Sequence, residues 1–428
     1  MRLLSKTYWN GSWVKFRESV EAFASCEQVT AYANDGAQSR GLYWTPKGNP
    51  QPRVAVVAAH PRVDFSQHYL FPGLLRAGYA CLGANVRTLG NDMACVHEQI
   101  ILDIAAQVQW LKEHRGIEKI VWLGNSGGGS LGGFYQSQAQ LAPSDRIAFT
   151  PAGRPTSLRT AMMPVFDAMI VSAAHPGQGL VLNETIDPSV VDENNPLLTD
   201  ASLDMYNPEN GFVPAPQWSR YSPEFQQRYR AAQLARVARL DANARALIAE
   251  QRDAELMASD PGFAALPLAR QSAVLRRSAF QPVMIVYRTM ANLNYTDNSL
   301  DPSPRGYGSL LSDRPDLMNF QLYGLGRVVT PDAWLSTWSG LSSNANLIKN
   351  ASTIRIPMIL IHAGRDLDCY MEAHSKAIFD AFASSDKTFV DFPDQLHYFE
   401  PDEGQPQNAG ALAQVEKVLP WLESRVPL

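Results

Sequence analysis

Cysteine is scarce in this chain. The 428 residues include four (Cys26, Cys81, Cys95 and Cys369), far apart and in no CxxC or Cys/His spacing. That pattern excludes a disulfide scaffold and argues against a structural zinc site, and a chain of this length buries its own core without either. Charge of one sign is also lacking. Lys and Arg number 37 against 42 Asp and Glu, for a formal charge of -5. The basic residues are scattered, so there is no electrostatic footprint for nucleic acid. No run approaches about 18 consecutive apolar residues, which excludes a transmembrane helix. The N-terminal stretch MRLLSKTYWNGSWVKF is broken by polar residues before it reaches the apolar length of a secretory signal. With these absences the sequence reads as that of a soluble, cytoplasmic globular protein with neither a membrane nor a nucleic-acid partner.

What is present is an alternation of short apolar runs and amphipathic segments. RVAVVAAHP (53–61), YACLGANVR (79–87), IEKIVWLG (117–124) and DAMIVSAA (167–174) each read as a strand buried on both faces. A helix interrupted by Pro72 is expected over 66–76. A clearer one spans 96–116, where Ile100, Ile101, Ile104, Val108 and Leu111 recur close to a 3.6-residue period and Gly116 supplies the stop. IPMILIHAG (356–364), a helix over 372–383, TFVDFP (388–393) and a final helix over 411–424, bent by Pro420, resume the pattern near the end. Strands and helices in this order predict an α/β fold with a mostly parallel, doubly wound sheet.

Three divisions follow. Residues 1–50 form an N-terminal segment with partial strand character at 22–33 and 39–46. Residues 51–175 and 355–428 form the α/β core. Residues 176–354 are a large, mainly helical cap inserted between its halves. Within the cap, 221–257 is strongly helical with Ser222 and Pro223 at its start, and 280–293 is strand-like in its first half, an extra sheet element.

The sharpest local signal is Gly124-Asn125-Ser126-Gly127-Gly128, directly after the strand IVWLG. It matches G-x-S-x-G, in which a serine is thrust above the sheet on a tight strand-to-helix turn. Glycines at both ends leave room for that turn, and the amide of Gly127 opens the helix beside the position where an oxyanion would form. A P-loop is excluded because no G-K-[ST] follows. A dinucleotide fingerprint fails because Ser126 stands where its second glycine is required.

A serine nucleophile needs a base and an orienting acid. His397 follows the strand TFVDFP, and Asp366 follows the strand IPMILI, with Asp368 as a rival two residues later. Both fall where open parallel sheets place their sites, at the carboxyl ends of strands. The order Ser126, Asp366, His397 and the elbow motif resemble the α/β-hydrolase superfamily. The resemblance is carried by 53–175 and 355–425, just under half the chain. It implies an oxyanion loop after the first core strand, here His60-Pro61-Arg62-Val63. Pro61 has no amide hydrogen, so the resemblance assigns the second oxyanion donor, beside Gly127, to the amide of Arg62. The Arg62 side chain either holds a substrate carboxylate or lies on the surface. His60 is expected to make a structural hydrogen bond beneath the loop, and His68 to face either the pocket or the surface.

The family's caps shape the substrate cavity, so this one is expected to contribute substrate contacts. His175, at the cap's edge, and Arg288, ending PVMIVYR, are the candidates. The acidic cluster Asp187, Asp192, Glu193, Asp200 and Asp204 lacks EF-hand spacing and reads as local turn chemistry. No cofactor or metal is required. The expected activity is a serine hydrolase cleaving a carboxylic ester, lactone or thioester of a small-to-medium organic molecule. Carbon–carbon bond hydrolysis of a diketone or ring-fission product comes second, then amide or peptide hydrolysis. A non-catalytic scaffold would show a lost triad residue, and none is lost. The cap or the N-terminal 50 residues offer surface for pairing across a two-fold axis, so a homo-oligomer is compatible with the sequence.

Overall fold

The computed structural model describes residues 14–428. A run that is apolar at every position must be covered on both faces, and β3 (Val54–Ala58), β4 (Ala80–Asn85), β5 (Lys119–Asn125), β6 (Ala168–Ser172) and β7 (Met358–Ala363) obey that rule. With β1 (Ala24–Tyr32), β2 (Gln38–Pro46) and β8 (Lys387–Phe392) they form one eight-stranded sheet in the order β1-β2-β4-β3-β5-β6-β7-β8. Only β2 runs against the others.

The N-terminal segment is therefore part of the core rather than separate from it, although its first 13 residues lie outside those described. Strand β1 is an edge strand with mostly exposed positions, so it carries no continuous apolar run that would mark it in the sequence.

Helices cover both faces. On one face α2 (His97–Arg115) and α3 (Gly127–Ala139) contribute Ile100, Ile104, Val108, Leu131 and Phe134. On the other, α1 (Phe71–Arg76) and the C-terminal α7 (Ala409–Arg425) contribute Leu74, Val415, Val418 and Leu422. Pro72 does not kink a longer helix. It occupies the first turn of α1, where a missing N–H costs nothing, and the residues before it form turns. Gly116 ends α2 in a left-handed conformation with φ 64°.

Between β6 and β7 the chain leaves the sheet for the insertion. After α4 (Gln178–Thr185) comes α5 (Pro223–Ala258), whose 36 residues make it the longest helix described. Ser222 caps it by accepting the Phe225 amide at 3.2 Å. Helix α6 (Leu268–Ala279) packs back along α5. The strand character expected in the first half of 280–293 comes to Met284–Ile285, which pairs with Val328–Val329 in a ribbon of the cap, apart from the main sheet. Cap helices and loops pack on one another through Leu182, Val237, Leu240, Trp334 and Trp338. No helix among the described residues is long and apolar enough to cross a membrane.

Candidate active site

Strand β5 runs directly into α3, and the residue at the junction is Ser126, with φ 54° and ψ -127°. A non-glycine residue in that region stores strain of order ~1–3 kcal/mol, so the surroundings must enforce it. They do so from several sides. The Ser126 amide donates to the Ser172 carbonyl at 3.1 Å, and the Gly129 amide donates to the Ser126 carbonyl at 3.1 Å. Asn125 Nδ2 reaches the same Ser172 carbonyl at 2.9 Å, while Asn125 Oδ1 faces His68 Nε2 at 3.2 Å. His68 thus lies buried beneath the turn, neither in the pocket nor at the surface. The glycines are needed for close approach. A Cβ on Gly128 would stand 2.5 Å from the Ala59 carbonyl oxygen, and one on Gly124 2.8 Å from that of Gly128.

The loops after β7 and β8 bring His397 and Asp366 together. His397 Nδ1 lies 2.5 Å from Asp366 Oδ2, with both side chains buried. The other carboxylate oxygen of Asp366 accepts the amides of Asp368 at 2.9 Å and Cys369 at 3.1 Å. Burial alone would raise the Asp366 carboxyl, but the His397 charge, its hydrogen bond and the two amides outweigh that and hold it below the ordinary carboxylate value. For His397, burial lowers the imidazole pKa and Asp366 more than restores it, leaving it raised. Asp368 lines the same cavity but is not bonded to His397; it accepts the Leu310 amide of the cap at 3.0 Å. Burial, and then the charge of Asp366, raise its carboxyl.

Ser126, His397, His60 and His175 line one cavity of about 70 Å³. The cap closes it with Val181, Leu310, Leu311, Leu325 and Trp338, with Gln178 and Tyr295 as polar members, so its outer wall is largely apolar. The loop after β3 holds a departure from expectation. The amide of Arg62 is turned inward and donates to His60 Nδ1 at 3.0 Å, which also receives the Val63 amide at 3.0 Å. It is therefore not aimed at an oxyanion beside Ser126. The Arg62 side chain lies over the Trp338 ring, 5.0 Å from its centroid.

Comparison with known proteins accords with this arrangement. A sequence model described as the alpha/beta hydrolase fold matches residues 62–150, the stretch from the loop after β3 through the serine turn to the end of α3 and just beyond. The chain has the α/β-hydrolase fold. Among solved structures, a hypothetical protein of Pseudomonas aeruginosa is 13% identical, with 100% of each chain covered and a TM-score of 0.46. The esterase domain of a Rhodothermus marinus protein is also 13% identical, covering 94% of this chain and 98% of that one at a TM-score of 0.42. An acylaminoacyl peptidase of Pyrococcus horikoshii is 10% identical, covering 94% of this chain but 42% of its own, at 0.42. No curated protein sequence matches the chain significantly.

The second expected cap contact falls elsewhere. Arg288 is fully buried inside the cap, paired with Asp187 at 2.7 Å and bonded to Ser189 Oγ at 2.8 Å and Thr199 Oγ1 at 2.7 Å. Its fork is saturated by the cap's own groups, and it does not line the cavity. The acidic cluster does serve local turns. Asp192, Asp200 and Asp204 each accept the amide two residues on. Among the described residues, Asp366, Cys369 and His397 form the one group with metal-donor spacing, but the histidine and carboxylate already face each other through their hydrogen bond. Sequence reasoning missed Cys369 and Gln178, which line the cavity. Cys369 is three residues beyond Asp366 and Gln178 three beyond His175, so proximity to a recognised residue was the available signal.

Proposed function

We propose that the protein is a serine hydrolase that cleaves carboxylic esters with a short, apolar acyl group through an acyl-enzyme on Ser126. The observation that carries this reading is the strained Ser126 turn opening into the same cavity as His397, whose Nδ1 is held by a buried, ionised Asp366. Asp366 accepts the Nδ1–H, so Nε2 carries the lone pair. That nitrogen takes the Ser126 proton as Oγ bonds to the ester carbonyl carbon. The tetrahedral intermediate collapses, the carbon–oxygen bond to the alcohol breaks, and His397 returns the proton to the leaving oxygen. Water then attacks the acyl-enzyme, giving its proton to His397, and the acid is released as Ser126 is reprotonated. Asp366 remains ionised throughout and stabilises the imidazolium. The small cavity, largely apolar on its cap side, supports a short acyl chain rather than a fatty one.

The test is labelling with a small fluorophosphonate, with the adduct located by peptide mass spectrometry, beside hydrolysis of p-nitrophenyl esters of increasing acyl length. Labelling of Ser126 that falls sharply in His397→Ala, and a preference for acetate or butyrate over dodecanoate, are expected. Absence of both labelling and ester hydrolysis in folded protein would overturn the mechanism. Turnover of β-diketones with esters untouched would transfer the reading to carbon–carbon bond hydrolysis.

A further inference from the structure

Three histidines line the Ser126 cavity, and the partner of each Nδ1 separates them into two kinds. A neutral imidazole has one N–H and one lone pair, so whatever Nδ1 bonds to decides what Nε2 presents. His397 Nδ1 faces a carboxylate, which only accepts, so its Nε2 is a base. His60 Nδ1 faces the backbone amides of Arg62 and Val63, which only donate. His175 Nδ1 likewise receives the Gly177 amide at 3.2 Å. Their Nε2 atoms must therefore carry hydrogen.

Those two nitrogens converge on one spot. A Cβ on Gly127, the residue after the nucleophile, would stand 2.8 Å from His60 Nε2 and 3.3 Å from His175 Nε2, and closer still to the Gln178 carboxamide. Gly127 opens α3, so its own amide is one of the first-turn donors that have no partner within a helix. Both imidazoles are neutral at ordinary pH. Burial, and then the charge of Arg62, hold His60 well below the usual histidine value. Withdrawal from water, and then the neighbouring His374, bring His175 down to about 3. A neutral imidazole N–H can stabilise developing negative charge without giving up its proton. Gln178 Nε2 lies nearest that spot and has no hydrogen-bond partner among the described residues, while Gln178 Oε1 accepts from Ser130 Oγ at 3.4 Å, so its amide is a further neutral donor on the same cavity wall beside the two imidazoles.

We propose that the Nε2–H groups of His60 and His175, together with the Gly127 amide, form the oxyanion site, replacing the Arg62 amide that is turned to His60. The assignment rests on Ser126 being the nucleophile of an acyl transfer.

Asparagine and glutamine variants at the two positions test it. His60→Asn and His175→Asn keep an acceptor near Nδ1 for the loop amides but remove the donor, whereas His60→Gln and His175→Gln restore an N–H near Nε2. Each Asn variant is expected to lower kcat on p-nitrophenyl butyrate by roughly 100-fold, the usual loss for one oxyanion donor, with KM within threefold. Each Gln variant should recover at least tenfold of that loss. Binding of a trifluoromethyl ketone, which mimics the tetrahedral oxyanion, should weaken in parallel with kcat/KM. Thermal melting identifies any variant that fails to fold, and for such a position the Gln variant carries the comparison. Wild-type hydrolysis that depends on Ser126, with both Asn variants folded and within threefold in kcat, would overturn the oxyanion assignment while leaving the hydrolase reading intact. A loss expressed only in KM, or at only one histidine, would overturn it as stated. A wild type inert to esters and fluorophosphonate would instead remove the hydrolase reading itself.

Discussion

The core and the cap of this protein are held together by different chemistry. In the core, strands such as Val54–Ala58 are wholly buried and apolar, and the helices on either face meet them with Ile, Leu, Val and Phe. In the cap, four arginines (Arg236, Arg288, Arg305 and Arg327) are buried, and carboxylates, hydroxyls and carbonyls surround their guanidinium groups. Apolar burial is non-directional, so the core tolerates a sequence known only as a pattern. A buried guanidinium must have its donors met one by one, so the cap depends on individual partners. The strained Ser126 turn belongs to the first kind of region and the wall that closes over it to the second. Substitutions in the site should therefore cost activity and spare stability, and substitutions in the buried cap network should do the reverse.

The largest expected effect is at Ser126. Ser126→Ala should reduce ester hydrolysis by about four orders of magnitude or more, with a melting temperature close to that of the wild type. A variant that kept a tenth of the activity would place the nucleophile elsewhere. Next comes Asp366→Asn, expected to cost about 10³–10⁴ in kcat by presenting the wrong tautomer of His397. It should also move the pH profile in a definite direction. His397 acts deprotonated, and Asp366 favours its charged form, so wild-type activity rises with pH through a pKa above the ordinary histidine value of about 6.5. Without the carboxylate, that limb should shift to lower pH. Asp368→Asn should lower kcat less than tenfold and leave the limb in place, because Asp368 is turned to the Leu310 amide. A pH–rate profile for each variant decides between the two carboxylates.

On the cap side, Arg288→Met should leave Asp187 buried without its cation, at a cost of about 3–5 kcal/mol in chemical denaturation. The kcat of the folded fraction should stay within twofold. A loss of kcat without a loss of stability would restore Arg288 to the site and blur the distinction between the regions.

What was legible in the sequence divides along the same line. Gly124 to Gly128 could be read because the motif is contiguous and its context, a buried strand followed by a helix, is local. His397 and Asp366 could be located because strand ends place them, and in the structure it is Asp366, not Asp368, that faces His397 Nδ1. The Arg62 amide could not, since its direction depends on where the His60 ring turns, a fact of three-dimensional packing. Arg288 was misplaced for a similar reason: a strand-end arginine looks free to meet a substrate until Asp187, 101 residues earlier in the chain, is brought beside it. The cap ribbon of two-residue strands is too short to impress a period on the sequence. Strands β1 and β2 were visible as strands, but their membership of the sheet was hidden by the exposed face of an edge.

Helix starts sharpen the comparison at the smallest scale. Helix α5 is capped by its own neighbour, Ser222, and its start could be placed from the Ser-Pro-Glu sequence. Helix α2, in the core, is preceded by Val96, which cannot cap; its His97 amide instead donates to Ser336 Oγ of the cap at 2.9 Å. The same hydroxyl donates to the buried carboxylate of Glu98 at 2.7 Å. Ser336→Ala therefore removes a partner from two buried groups and should cost about 1–3 kcal/mol in denaturant titration. Ser222→Ala leaves the first turn of α5 open to water and should cost about 1 kcal/mol. If Ser336→Ala proved the milder of the two, α2 would be set by its apolar face alone, and the cap would be lying on the core without helping to terminate its helices.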